Sequence, residues 1–238
     1  MGSPLFFCVV QLPLAVVVTA VLTAAAGLAR LVRPAAVQAL SRVWSRLLLR
    51  LFRVDVRTEG QEHVPRGPAV YAANHSSSLD ILVVLGHLNA DVRIIYKKSL
   101  SFVPLLGWSI AVSGHIPIDR SNPFRAHRSL QRAAERIRGG TSVLVFPEGT
   151  RSPDGSVRHF KRGSFSLALD AGVPVVPVSL ADVKTLVPRG LTSLKPGTIT
   201  LRVHPAIAVS GRSKDDAEAL AEETRRVVAR GCEREVGQ

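Results

Sequence analysis

The stretch "AVYAANHSSSLDILVVLGHLN", residues 69–89, changes character in its middle. Its first five residues are a short apolar run of the kind that makes a strand buried on both faces. From residue 79 the apolar positions recur at helical spacing, which predicts a helix over 79–89. Asn74, His75 and three serines lie between the two. A strand, a polar loop and a helix in that order make the first half of a βαβ unit. The alternation continues along the chain. Strand candidates are "VRIIY" (92–96), "HIPI" (115–118), "SVLVF" (142–146), "VPVVPVSL" (173–180) and "TITLRV" (198–203), and helical patterns fill 124–138, 163–171 and 214–230. This predicts an α/β fold with a mixed, largely parallel central sheet flanked by helices. "SPDGSVR" (152–158) reads as a turn from its Pro-Asp-Gly content.

The 238 residues, 46% of them hydrophobic, suffice for one such domain with an appendage. Lys and Arg outnumber Asp and Glu by 31 to 18, a formal charge of +13 that calls for nucleic acid, anionic lipid or phosphorylated substrates as partners. Aromatic residues make up only 5% of the chain and no nucleic-acid motif is present, which argues against nucleic acid. Cys8 and Cys232 stand at opposite ends, so they build neither a disulfide framework nor a zinc site.

Leu5 to Ala29, "LFFCVVQLPLAVVVTAVLTAAAGLA", carries no charge and is long enough to cross a bilayer core. A secretory signal peptide would need a positively charged leader, which "MGSP" does not supply. Six arginines between Arg30 and Arg53 follow the run, and the bias of positive charge toward the cytoplasm keeps the body of the chain inside. Pro34 breaks the first helix. Arg42, Arg46, Arg50 and Arg53 then recur at helical spacing opposite Val43, Trp44, Leu47, Leu48 and Leu51. The pattern fits a helix in the headgroup region, with Trp44 at the interface and the arginines toward phosphates. The rival reading is a helix packed on the domain with a solvated basic face. The expected division is an N-terminal membrane anchor and amphipathic basic helix over 1–53, then the main domain over 54–238.

Three constellations carry chemistry. In "NHSSSLD" (74–80) the serines are N-cap material, and a helix starting near Ser78 puts Asp80 in its first turn. His75, just outside the helix, can then fold back on Asp80, which would fix its tautomer and leave the other nitrogen as a general base. Of the seven histidines only His75 has an Asp five residues on. In "FPEGTRS" (146–152), Pro147 stops a strand and Gly149 lets a ligand approach the backbone. Glu148 and Arg151 then stand at the carboxyl end of the sheet, where sites in α/β folds lie. "GHIPIDR" (114–120) delivers Asp119 and Arg120 to the same kind of edge, and Lys97 and Lys98 follow another strand. Lys161 and Arg162 of "FKRGSF" extend this basic rim. The rival to a catalytic reading is a basic membrane-surface module that binds without chemistry.

"NHSSSLD", "GHIPIDR", "FPEGTRS" and "VPVVPVSL", in this order, resemble the four motif blocks of the glycerolipid acyltransferases, specifically the bacterial 1-acyl-glycerol-3-phosphate acyltransferase family, over roughly residues 54–205. The resemblance implies a glycerol-3-phosphate acyltransferase-like fold behind a membrane-anchoring helical pair. The implied reaction moves a fatty acyl group from a thioester to the free hydroxyl of lysophosphatidic acid, giving phosphatidic acid. It implies His75 as base and Asp80 as its partner, with Lys97, Arg120 and Arg151 on the acceptor phosphate and Glu148, Gly149 and Thr150 shaping the pocket. It implies no cofactor beyond acyl-CoA or acyl carrier protein as co-substrate, no metal, and a place on the cytoplasmic face of the inner membrane. Pro117 departs from the second block. A related enzyme acting on another lysolipid, such as lyso-ornithine lipid, lysophosphatidylethanolamine or a glycolipid precursor, would carry the same motifs. The absence of a "GxSxG" elbow argues against an acyl-enzyme on Ser76, Ser77 or Ser78.

Overall fold

A computed structural model describes residues 4–119, 121–188 and 191–233. Among them, seven strands form one sheet in the order β1-β7-β6-β2-β5-β3-β4. Their bounds are β1 Val54–Glu59, β2 Val70–Ala73, β3 Val92–Lys97, β4 Ile116–Ile118, β5 Ser142–Val145, β6 Val175–Ala181 and β7 Gly197–Val203. Five of the six pairings are parallel, and only β6 and β7 run antiparallel. The strands at the centre are the most apolar because helices cover both their faces: every residue of β2 is buried, as are the first six of β6. Pro177 is tolerated inside β6 because the ladder to β7 begins only at Val178, opposite Val203.

Nine α-helical segments accompany the sheet among the described residues: α1 Pro4–Phe6, α2 Leu12–Val32, α3 Ala36–Leu51, α4 Leu79–His87, α5 Leu106–Val112, α6 Pro123–Arg138, α7 Gly163–Ala171, the single turn α8 Val183–Leu186 and α9 Ala217–Cys232. One hydrophobic cluster joins α3 and α4 to β1, β6 and β7, and the other packs α6, α7 and α9 on the opposite side. Pro4–Val32, with a π-helical turn at Phe7–Gln11, is the one described helix long and apolar enough to cross a membrane.

The first two long helices do not stand apart from the domain. Gln11 Nε2 donates to Leu51 O at 2.7 Å, and Phe7 packs on Phe52. Leu48, Leu49 and Phe52 are buried in the same cluster as β7 and α4. Trp44 is half-buried against α2, where its Nε1–H donates to the Thr19 hydroxyl at 3.0 Å. Arg42 pairs with Asp91 at 3.3 Å, and Arg46 Nε donates to Gly86 O at 2.7 Å, at the carbonyl end of α4 where cations are favoured. The packed alternative therefore accounts for these two arginines, while Arg50 and Arg53 are exposed.

Candidate active site

β2, β5, β3 and β4 are parallel neighbours, so their carboxyl ends share one edge of the sheet. His75 follows β2, Glu148 follows β5, Lys97 ends β3 and Asp119 follows β4, which brings the three constellations of the sequence to that edge. Adjacent strands are about 4.8 Å apart, which puts Lys97 two strands, or about 10 Å, from the β2 end.

The β2 end is pinned by Asn74. Its buried amide donates to Leu180 O at 3.0 Å and accepts from Leu180 N–H at 2.8 Å, extending the β2–β6 ladder one rung by a side chain. His75 leaves the sheet there. Its Nδ1–H donates to Asp80 Oδ2 at 2.7 Å, and Nε2 has no hydrogen-bond partner among the described residues. Asp80 is fully buried, and the same Oδ2 also accepts the backbone N–H groups of Ser76 (2.7 Å) and Ser77 (2.9 Å). Asp80, in the first turn of α4, thus reaches back to fix the loop that precedes its own helix, while the Ser77 hydroxyl accepts Leu79 N–H at 3.2 Å and caps the first helical residue. Ser78, the N-cap residue, has no side-chain capping bond and instead accepts from Arg151 Nη1 at 3.1 Å.

The third motif holds His75 by its main chain. Glu148 Oε1 accepts His75 N–H at 3.0 Å, and Ser152 N–H donates to His75 O at 2.7 Å. Phe146 stacks on the imidazole with ring centroids 4.1 Å apart. The histidine is therefore fixed at its backbone, one ring face and one ring nitrogen. Burial pushes the Glu148 carboxyl above its ordinary value, against the opposing bond from His75 N–H. Glu148 thus holds the His75 main chain from a buried position through Oε1. Gly149 has φ +76°, so a side chain there would be strained, and its Cβ would also meet the Lys161 Nζ at 3.0 Å.

The basic rim is uneven. Arg151, Thr150, Lys161 and Lys97 are exposed. Lys98 is occupied by Asp119, 3.2 Å away, whose carboxyl is lowered to about 2 by hydrogen bonds from Ser121 and by Lys98. Arg120 lies outside the described residues. His115 of the second motif accepts Ile94 N–H on Nδ1 at 3.1 Å, and burial beside Arg93 and Arg136 lowers it to about 4, so it serves the fold as a neutral acceptor. Asn74 and Phe146 were not among the candidates from sequence, although each adjoins a motif residue that was.

No group of three or more His, Cys, Asp or Glu among the described residues is arranged to hold a metal. What the arrangement offers is an oriented imidazole with one nitrogen available, beside exposed cations, at the carboxyl edge of an α/β sheet.

Comparison with known proteins gives a consistent result. The family model for acyltransferases matches residues 55–181. A 1-acyl-sn-glycerol-3-phosphate acyltransferase from Chlamydomonas reinhardtii is 39% identical over 173 residues, covering 71% of this chain and 51% of that protein. One from Pseudomonas aeruginosa is 32% identical over 188 residues, covering 79% of this chain and 70% of that protein. The crystal structure of the 1-acyl-sn-glycerophosphate acyltransferase PlsC from Thermotoga maritima superposes with a TM-score of 0.72 at 34% identity, covering 82% of this chain and 78% of that one. The chain spans about half the length of the algal relative and of a chloroplastic one from Brassica napus, at 51% and 54%.

Proposed function

The chain belongs to the acyltransferase family, and we propose that it transfers a fatty acyl group from a thioester to the free hydroxyl of lysophosphatidic acid, giving phosphatidic acid. The observation that carries this reading is the immobilised imidazole: Nδ1–H is committed to Asp80 at 2.7 Å, so the lone pair resides on Nε2. A lipid hydroxyl is a poor nucleophile until a base takes its proton in the transition state. Nε2 takes that proton as the hydroxyl oxygen attacks the thioester carbonyl, and Asp80 stabilises the imidazolium that forms. Collapse of the tetrahedral intermediate breaks the C–S bond, and the imidazolium returns the proton to the departing thiolate. No side chain need be acylated.

Arg151, Lys161 and Lys97 would receive the acceptor phosphate, with Arg151 offering the planar fork that suits it. Glu148 acts through His75 and is a positioning residue. The acyl donor is acyl-CoA or acyl carrier protein. The apolar α1–α2 helix fits a membrane contact on the cytoplasmic side, with the arginines after it supporting that orientation.

The test is mass spectrometry of the products that the purified full chain makes from a panel of lysolipids with both donor types, beside thiol release. Lysophosphatidate should give phosphatidate with the highest kcat/KM, and His75→Ala should abolish turnover in a folded protein. Turnover of another lysolipid but not of lysophosphatidate would sink the substrate assignment. Activity of more than a few per cent in His75→Ala would sink the base.

A further inference from the structure

Among the described residues, every large hydrophobic side chain exposed beyond α3 falls in one region: Leu100, Phe102, Val103, Leu106, Trp108 and Phe124. Phe102 is 79% exposed, Phe124 73% and Trp108 66%. Soluble surfaces rarely concentrate aromatic area in this way without a partner. The segment that carries most of it is built, not frayed. Tyr96 hydroxyl and Ser101 hydroxyl are 2.9 Å apart, and Lys98–Phe102 is a 3-10 turn. Leu105, with φ 61° and ψ −53°, is the centre of a γ-turn closed by Leu106 N–H to Pro104 O at 2.7 Å, a rare and strained conformation. Gly107 completes the knuckle, because any Cβ there would collide with the Ser101 carbonyl.

Two further observations identify the partner. The knuckle is continuous with the helix that is apolar enough for a membrane: Arg30 Nη1, near the end of α2, donates to Ala111 O (3.0 Å) and Val112 O (2.8 Å) at the end of α5. On α2 itself, Leu12, Leu14, Val16, Val17, Val21 and Leu28 are exposed. The knuckle is also flanked by cations. Lys97 and Arg128 are exposed, while Lys98 and Arg125 share Asp119 at 3.2 and 4.0 Å. Aromatic and aliphatic tips with Lys and Arg behind them suit the headgroup layer of an anionic leaflet.

We propose that Leu100–Trp108, with Phe124, is a lipid-contact surface of the catalytic domain itself, inserted in the headgroup region of an anionic leaflet. It acts apart from the N-terminal helix and turns the β3 and β4 ends of the sheet, with Lys97, toward lipid phosphates. An acceptor then enters from the leaflet on the Lys97 side.

The chain has two tryptophans, so full-length Trp44→Phe leaves Trp108 as the sole reporter. It is mixed with phosphatidylethanolamine vesicles containing phosphatidylglycerol, with or without shallow brominated acyl chains, and flotation verifies binding. Emission should shift to shorter wavelength, and brominated lipid should remove more than about half of it, since an interfacial indole sits at headgroup depth. Trp108→Phe in the otherwise natural chain gives the same information by difference if the first variant is poorly folded. Phe102→Ser should reduce the quenching while thiol release with a water-soluble short-chain acceptor stays at the level of the unmodified chain. The proposal is overturned if the bound protein keeps the Trp108 emission it has in buffer and resists the brominated lipid, or if the full chain does not bind vesicles. The readout requires no turnover, so it stands or falls separately from the assigned reaction.

Discussion

Asp80→Asn isolates the carboxylate from the shape of the site. One oxygen, Oδ2, accepts from His75 Nδ1 (2.7 Å), Ser76 N (2.7 Å) and Ser77 N (2.9 Å). The Asn carbonyl can occupy the same point but carries no charge. A hydrogen bond to a charged group contributes about 1 kcal/mol more than one between neutral groups, so three weakened bonds cost about 3 kcal/mol. That is survivable for a domain stable by roughly 5–15 kcal/mol, whereas Asp80→Ala would leave two backbone N–H groups and the imidazole without an acceptor. Catalysis suffers separately, because the imidazolium formed as Nε2 takes its proton loses its counter-charge. The expected fall in kcat is about 100- to 1,000-fold, equivalent to about 3–4 kcal/mol. Thiol release with a short-chain soluble acceptor measures kcat without interference from lipid partitioning, and a thermal melt confirms the fold. A folded Asp80→Asn protein with kcat within about threefold of the original would refute the reasoning. Asp80 would then fix the loop ahead of α4 and no more.

Glu148→Gln keeps an oxygen for His75 N–H and should retain most activity, while Glu148→Ala should lower kcat with little change in the KM of the phosphorylated acceptor; a change confined to KM would return Glu148 to the substrate. Folding stability should fall with acidification between about pH 6.5 and 4. Burial first, then neighbouring charges, lowers His115 and His204 to about 4 in the fold, whereas unfolded histidine titrates near 6.5, so only the unfolded chain gains these protons in that window. Denaturant melts from pH 8 to 4.5 check the sign, and unchanged stability would mean the two rings are hydrated. Deleting residues 1–53 should abolish folding, since Leu48, Leu49 and Phe52 lie in the main core and each large-to-small loss there costs about 2–5 kcal/mol. Deleting residues 1–34 instead leaves these three in place and should yield a collapsed, protease-resistant domain.

β2, β5 and β6 are legible because burial on both faces leaves them as plain apolar runs, while β3 and β7 show the alternation of half-buried strands, and the observed bounds differ from the sequence reading by one or two residues. β1, "VDVRTE", gives no strand signal in the sequence. At the sheet edge only Val54 is buried, so its polar alternation signals no core. α5 is hidden by Pro104 and Gly107, which mark a turn in sequence and do help build one, running into the first residues of the helix. The arginine stripe of α3 leaves two readings open in sequence, because periodicity reports that a face is charged but not what stands opposite it. Asp91 and the Gly86 carbonyl, which occupy Arg42 and Arg46, are 40 or more residues away along the chain.

The same distinction between local and distant partners divides the active site. His75 and Asp80 are five residues apart, and the first turn of one helix is enough to bring them together, so their pairing can be worked out from the stretch that contains both. The hold on the histidine main chain cannot, because Glu148 and Ser152 reach it only through the adjacency of β5 and β2, 73 or more residues apart in sequence. This shifts the meaning of the third motif. Its glutamate and serine clamp the peptide groups either side of His75, while its arginine, tied among the described residues to the Ser78 hydroxyl at 3.1 Å at the mouth of α4, remains exposed. Under the proposed reaction, a single loop would couple the placement of the proton acceptor to the placement of the phosphate. A substitution at Gly149, which sets the path of that loop through its positive φ, should therefore disturb kcat and acceptor KM together, where Arg151→Ala should disturb KM alone.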